Sequence, residues 1–174
     1  VRKDRINIFE TIFINFYFLP FKQALRLPIL VYGKLRMNSI QGDIYLDVDK
    51  ISKGIVKINA RNDSSSGSGG ETEISLNHGT IIFKGRAQIG RGCKILVYNN
   101  GVVQFGSYFH CMNMNNIGCC NKIIIGDYVT IGHQNQIFDT DFHFIVNDKF
   151  VSKPNSCPVI IGDNVWLTNR TSIM

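Results

Sequence analysis

The stretch NKIIIGDYVTIGHQNQI (Asn121–Ile137), echoed by PVIIGDNVWLTNRTSI (Pro158–Ile173), decides the fold. In the first, Ile125, Ile131 and Ile137 fall six residues apart; in the second, Ile161, Leu167 and Ile173 do the same. Upstream, HGTIIFKGRAQIGRGCKI (His78–Ile95) carries Phe83, Ile89 and Ile95 at that spacing, and NGVVQFGSYF (Asn100–Phe109) opens in the same way. Four positions after several of these sits a small or β-branched residue: Ala87, Cys93, Val129, Val165 and Thr171. A period of six is neither the 3.6 of a helix nor the 2 of an ordinary strand. It matches a triangular coil in which each side is one short strand plus a corner, with about eighteen residues to a turn. The large residue points inward, the small one fits beside it, and Gly, Asn and Asp tolerate the tight corners. Successive turns stack at ~4.8 Å and pair as parallel sheet.

Breaks in the rhythm mark where the chain leaves the coil. RNDSSSGSGGE (residues 61–71) reads as a polar, flexible insertion. The spacing slips between Ile117 and Ile125. From Ile125 to Ile161 is 36 residues, two coil lengths, part of which is the non-repeating stretch FDTDFHFIVNDKFVSKPNSCPVI. Loops that leave a solenoid tend to build its functional site.

The chain has 174 residues, 44% of them apolar and 18% charged, enough to bury a core without staples and the wrong balance for disorder. Its net charge of +6 is uneven. Residues 1–36 hold seven bases (Arg2, Lys3, Arg5, Lys22, Arg26, Lys34, Arg36) against Asp4 and Glu10, whereas residues 37–174 are close to neutral. The body therefore lacks the basic stripe of a nucleic-acid binder. Five cysteines without a CxxC pair (Cys93, Cys111, Cys119, Cys120, Cys157) read as reduced apolar filler in a reducing compartment. The run INIFETIFINFYFLPF (Ile6–Phe21) is too short to span a membrane. It reads as a helix and strand packed on the open end of the coil. The mixture of bases and aromatics over residues 1–36 also allows peripheral contact with a membrane surface. The expected division is a basic, aromatic-rich leader over residues 1–48 and a β-helix over residues 49–174, with the repeat readable from about residue 79. It stops in mid-hexapeptide at Met174, so further coils are expected to follow in the complete protein.

These repeats, together with Asp139-Thr140-Asp141-Phe142-His143, Ile161-Gly162-Asp163-Asn164-Val165-Trp166 and the leader LPFKQALRLPILVYGK (Leu19–Lys34), resemble the left-handed β-helix acyltransferases. The nearest branch is that of the sugar O-acetyltransferases of bacterial surface-polysaccharide pathways, related to maltose and galactoside acetyltransferases. The resemblance implies an all-β, left-handed parallel β-helix of hexapeptide repeats with an N-terminal helical and extended leader. It also implies acetyl-CoA as donor, a sugar hydroxyl as acceptor, no metal, a homotrimer with sites between subunits, and a cytoplasmic protein that can touch the inner face of the membrane.

His143 is the candidate general base, because neutral imidazole titrates near working pH and can take the proton of a sugar hydroxyl as it attacks a thioester. Asp141 and Asp139, two and four residues before it, are both candidates to orient it. The resemblance places acceptor binding near Asn113, beside the position (Met112) where relatives carry an Asn, and near His110 and His133. It places donor binding at Trp166 and Thr168, although Leu167-Thr168 stands where the family has Ile-Gly. A zinc enzyme of the β-helix carbonic anhydrase kind needs two histidines five apart, whereas His110, His133 and His143 are separated by 23 and 10. The competing function is a non-catalytic β-helix, a scaffold or binding subunit without a donor cleft.

Overall fold

The six-residue spacing becomes columns of buried side chains. Val31, Ile58, Ile89, Cys111, Ile131 and Leu167 stand in register on one side of a prism, each on the strand next to the last. The computed structural model describes residues 5–61, 70–144, 146–149 and 155–174. Most of the 61–71 insertion therefore lies outside the described residues, as do Arg2, Lys3 and Asp4 of the leader and part of the loop after Asp141.

Among the described residues, two helices, α1 (Ile8–Phe18) and α2 (Phe21–Ala24), precede seventeen strands. The strands form a parallel β-helix. Its first turn is β1 (Ile29–Val31), β2 (Leu35–Ile40) and β3 (Asp43–Leu46). The second is β4 (Val56–Ile58), β5 (Thr72–Asn77) and β6 (Thr80–Phe83); the third is β7 (Ala87–Ile89), β8 (Lys94–Tyr98) and β9 (Val102–Phe105). Next come β10 (Phe109–Cys111), β11 (Asn116–Cys119) and β12 (Lys122–Ile125), then β13 (Thr130–Ile131), β14 (Gln136–Phe138) and β15 (Val159–Ile161), and last β16 (Trp166–Leu167) and β17 (Ser172–Ile173). Every third strand pairs, giving three parallel sheets. Face one runs β1-β4-β7-β10-β13-β16, face two β2-β5-β8-β11-β14-β17 and face three β3-β6-β9-β12-β15.

Of the nine residues expected to point inward, Phe83, Ile89, Ile95, Ile125, Ile131, Ile137 and Ile161 are buried. Leu167 and Ile173 are half-buried because they lie on the sixth turn, with only the fifth packed against them. The coil is longer and less regular than the repeat shows. It starts at Ile29, inside the segment read as leader, since β1, β2 and β3 pair with β4, β5 and β6. A turn is not eighteen residues: register partners Ile89 and Cys111 are 22 apart, and Cys111 and Ile131 are 20 apart. Ile125 and Ile161 are neighbours in register, so their 36 residues are one turn plus a loop excursion rather than two turns. Part of the extra length lies in the face-two strands, where a second buried residue (Leu76, Val97, Cys119) follows the first and pairs in register.

Side-chain ladders hold the corners. Asp127 Oδ1 accepts from the Ser107 N–H at 2.6 Å, and Asp163 Oδ1 from the Asp127 N–H at 2.7 Å. In the same corner Tyr108, Tyr128 and Asn164 hold left-handed φ of 57°, 56° and 58°. The Tyr108 and Tyr128 rings stack at 4.9 Å, which offsets part of that backbone strain.

Candidate functional site

Strand β14 delivers the chain to Asp139 at the corner between faces two and three, and there the loop departs. Its neck is closed by a bridge between Thr140 and Ser156, by the Thr140 hydroxyl donating to the Asn155 carbonyl at 2.7 Å, and by the Cys157 N–H donating to the Asp139 carbonyl at 2.8 Å. Two local turns then aim the chain. The Phe142 N–H donates to Thr140 Oγ1 at 3.0 Å and the His143 N–H to Asp141 Oδ1 at 3.1 Å. The Phe142 ring meets Phe138 edge-on at 5.9 Å. Gly118 makes room beneath them, since a Cβ there would lie 2.4 Å from the Phe138 ring.

These turns fix the imidazole of His143. Its Nδ1 lies 2.6 Å from the carbonyl oxygen of Asp141. A carbonyl can only accept, so Nδ1 carries the proton and Nε2 is left as a basic lone pair. His143 is exposed, and exposed Phe142, Phe144 and Val146 surround it in sequence. A basic nitrogen on an apolar, outward loop suits contact with a ligand or a second chain.

The two aspartates do different work. Asp141 orients His143 through its backbone carbonyl, while its carboxylate holds the turn. Asp139 is buried and its carboxylate faces the preceding corner. It accepts from the Cys120 N–H at 2.8 Å, from the Asn121 N–H at 2.8 Å and from the Cys119 thiol at 3.1 Å. It pins the corner that the spacing slip between Ile117 and Ile125 announced. Burial, together with that carboxylate, pushes the Cys119 thiol well above the usual range, and Cys120 is raised for the same reasons.

The remaining candidates lie elsewhere on the prism. Asn113, His133 and Thr168 occupy the corner between faces one and two. Asn113 is buried, and its Oδ1 accepts from the Arg91 N–H at 3.0 Å; two turns on, Asn169 Oδ1 accepts from the His133 N–H at 2.7 Å. Asn113 is thus a rung of a corner ladder. Thr168 is exposed, with its backbone packed against Gly132. His110 and Trp166 share face one, in register through Thr130, with Trp166 73% exposed.

His110 also lines a cleft of about 370 Å³ with Lys53, Lys57, Arg86, Gln88 and Tyr108. Its Nε2 lies 3.4 Å from Gln88 Nε2, and burial lowers its pKa. Among the described residues, three cations and no carboxylate line the cleft, the chemistry of an anion site. The hexapeptide reading missed Lys57 and Arg86. Their signal was positional: Lys57, Gln88 and His110 are register partners, each on the residue before an inward one.

The structure thus distributes the candidates over one corner loop, an opposite corner and face one, and brings only Asp141 to His143. Among the described residues no group of three His, Cys, Asp or Glu side chains is placed to hold a metal. Comparison with protein-family models, curated proteins and solved structures finds no match to this chain.

Proposed function

We propose that the protein is an acetyl-CoA-dependent O-acetyltransferase acting on a sugar hydroxyl during bacterial surface-polysaccharide synthesis. The observation that carries this reading is the tautomer of His143, with Nδ1–H held by the Asp141 carbonyl and Nε2 without a partner among the described residues, on an exposed loop. The resemblance of the DTDFH loop and the following IGDNVW segment to the sugar O-acetyltransferases supplies the reaction. Nε2 takes the proton of the acceptor hydroxyl as its oxygen attacks the thioester carbonyl. The tetrahedral intermediate collapses, the C–S bond breaks, and the imidazolium returns the proton to the departing CoA thiolate. No metal takes part.

In this reading Trp166 and Thr168 contact the donor, and His110 and His133 the acceptor, with the cleft cations taking phosphate groups. Because these groups sit on other sides of the prism from His143, the working unit is a homotrimer in which the loop of one copy meets face one of its neighbour. An acetyl-CoA user of this kind works in the cytoplasm.

Asp139 is committed to a backbone corner, and no carboxylate bonds the His143 ring among the described residues. That favours the second reading, a scaffold or binding subunit. Calorimetry with acetyl-CoA and release of free CoA in the presence of sugar acceptors separate the two. Acceptor-dependent CoA release that His143→Ala abolishes is the expected result. Absence of both donor binding and CoA release overturns the acetyltransferase.

A further inference from the structure

Helix α1 is built inside out. Its buried residues are Thr11, Ile14 and Asn15, two of them polar. They are buried because they finish the hydrogen bonding of the first strand: Thr11 Oγ1 accepts from the Val31 N–H at 3.1 Å, and Asn15 Oδ1 from the Ile29 N–H at 3.1 Å. Asn15 Nδ2 donates to the Ile29 carbonyl at 2.7 Å, and the Asn7 N–H to the Val31 carbonyl at 2.8 Å. Fastened to the coil this way, the helix turns its apolar residues outward. Positions 8, 9, 12, 13, 16 and 17 form one stripe, all Ile, Phe or Tyr and all exposed, with Phe9 87% exposed. Phe21 at 67% extends the stripe, its ring edge-on to Phe16 at 5.9 Å. A continuous aromatic surface of this kind marks an interaction site.

We infer that this stripe lies in the interface of an anionic lipid bilayer and holds the protein on a membrane surface. Charge selects that occupant. Among described residues 5–36, Arg5, Lys22, Arg26 and Lys34 are exposed and Glu10 is the one acidic residue, while Arg36 is paired with Glu71. Lys53 adds a cation beside the end of α2, where the Gly54 N–H donates to the Leu27 carbonyl at 3.1 Å. A second copy docked stripe to stripe would press two sets of bases together, whereas anionic headgroups complement them. Eleven residues of helix span about 16 Å, half a hydrocarbon core, and no described helix is long and apolar enough to cross a membrane. The helix therefore lies in the plane, with aromatics at the acyl boundary and bases among the headgroups.

The test is co-sedimentation of the full chain with vesicles of phosphatidylcholine, with and without phosphatidylglycerol. It needs no acetyl transfer, so its failure leaves the catalytic reading standing and the converse also holds. Wild type is expected to partition onto the anionic vesicles and to be released by salt. The variant Phe9→Ser/Phe13→Ser/Phe16→Ser, altered only at exposed positions and checked for unchanged thermal unfolding, is expected to bind at least about ten-fold more weakly. Lys22→Gln and Lys34→Gln are each expected to lose roughly five-fold, as one exposed charge beside the stripe is removed. Wild type that stays in the supernatant overturns the inference, as does a triple variant that still binds. Stripe-dependent self-association without lipid, seen by sedimentation velocity, would assign the surface to a second copy instead.

Discussion

The ring of His143 is held by the backbone of Asp141, not by a carboxylate: Nδ1 sits 2.6 Å from the Asp141 carbonyl oxygen. A carbonyl fixes the tautomer and orientation but adds little negative charge to stabilise an imidazolium. The effects of substitution therefore separate. His143→Ala is expected to lower turnover by ~10²–10⁴-fold with donor binding retained. Asp141→Asn keeps the carbonyl and an oxygen able to hold the turn, and is expected to cost no more than about five-fold. Steady-state kinetics with a confirmed acceptor decide, and near-normal turnover of His143→Ala would remove it from the mechanism.

Asp139 is expected to matter for stability before activity. Asp139→Ala leaves the Cys120 and Asn121 N–H groups without their acceptor in a part-buried corner, a loss of about 2 kcal/mol. The urea midpoint reports it. A midpoint unchanged alongside a collapsed turnover would return Asp139 to the catalytic set.

His110 gives the fold a pH dependence. Burial holds its pKa below the ordinary 6.5, so the unfolded chain binds the proton more readily than the folded one. This contribution to stability is complete above about pH 6.5, falls as pH drops through that value, and levels off below the lowered native pKa. Thermal midpoints of wild type and His110→Gln, followed from neutral to acidic pH, are expected to diverge, with wild type losing more. Parallel curves would contradict the assignment.

Thiol chemistry distinguishes the five cysteines. Cys157 is exposed, Cys120 is half-buried with its thiol raised, and Cys93, Cys111 and Cys119 are buried. Thiolate is the reactive form, so the native protein is expected to show one fast thiol with Ellman's reagent and the rest only slowly or on unfolding. Cys157→Ser should abolish the fast phase. Fast labelling that survives that substitution would mean the core opens at the Cys119 corner.

The coil was legible from residue 83 onward because its inward residues recur six apart, and all of them are buried except Leu167 and Ile173 on the sixth turn, which are half-buried. Its first turns were not. Val31 and Met37 are also six apart, but Ile58 and Ile74, which follow each other in the next turn, are separated by the 61–71 insertion. Insertions between strands, and a second inward residue on each of β5, β8 and β11, break the fixed period in the sequence while the register survives in space.

What the sequence determined by itself was the alternation of large inward residues, small neighbours and tight corners that makes a stacked coil, and the loop that carries His143. What only the tertiary structure decided was the partner of each polar group. Asp139 and Asp141 are equivalent candidates in sequence, yet one turns inward to cap a corner and the other offers its carbonyl to an imidazole. Likewise, the aromatic run of α1 reads as core, but the edge of β1 needs hydrogen-bond partners, and Thr11 and Asn15 supply them. An unpaired buried backbone group costs more than an exposed aromatic ring, so the polar face went in and the apolar face was left outside.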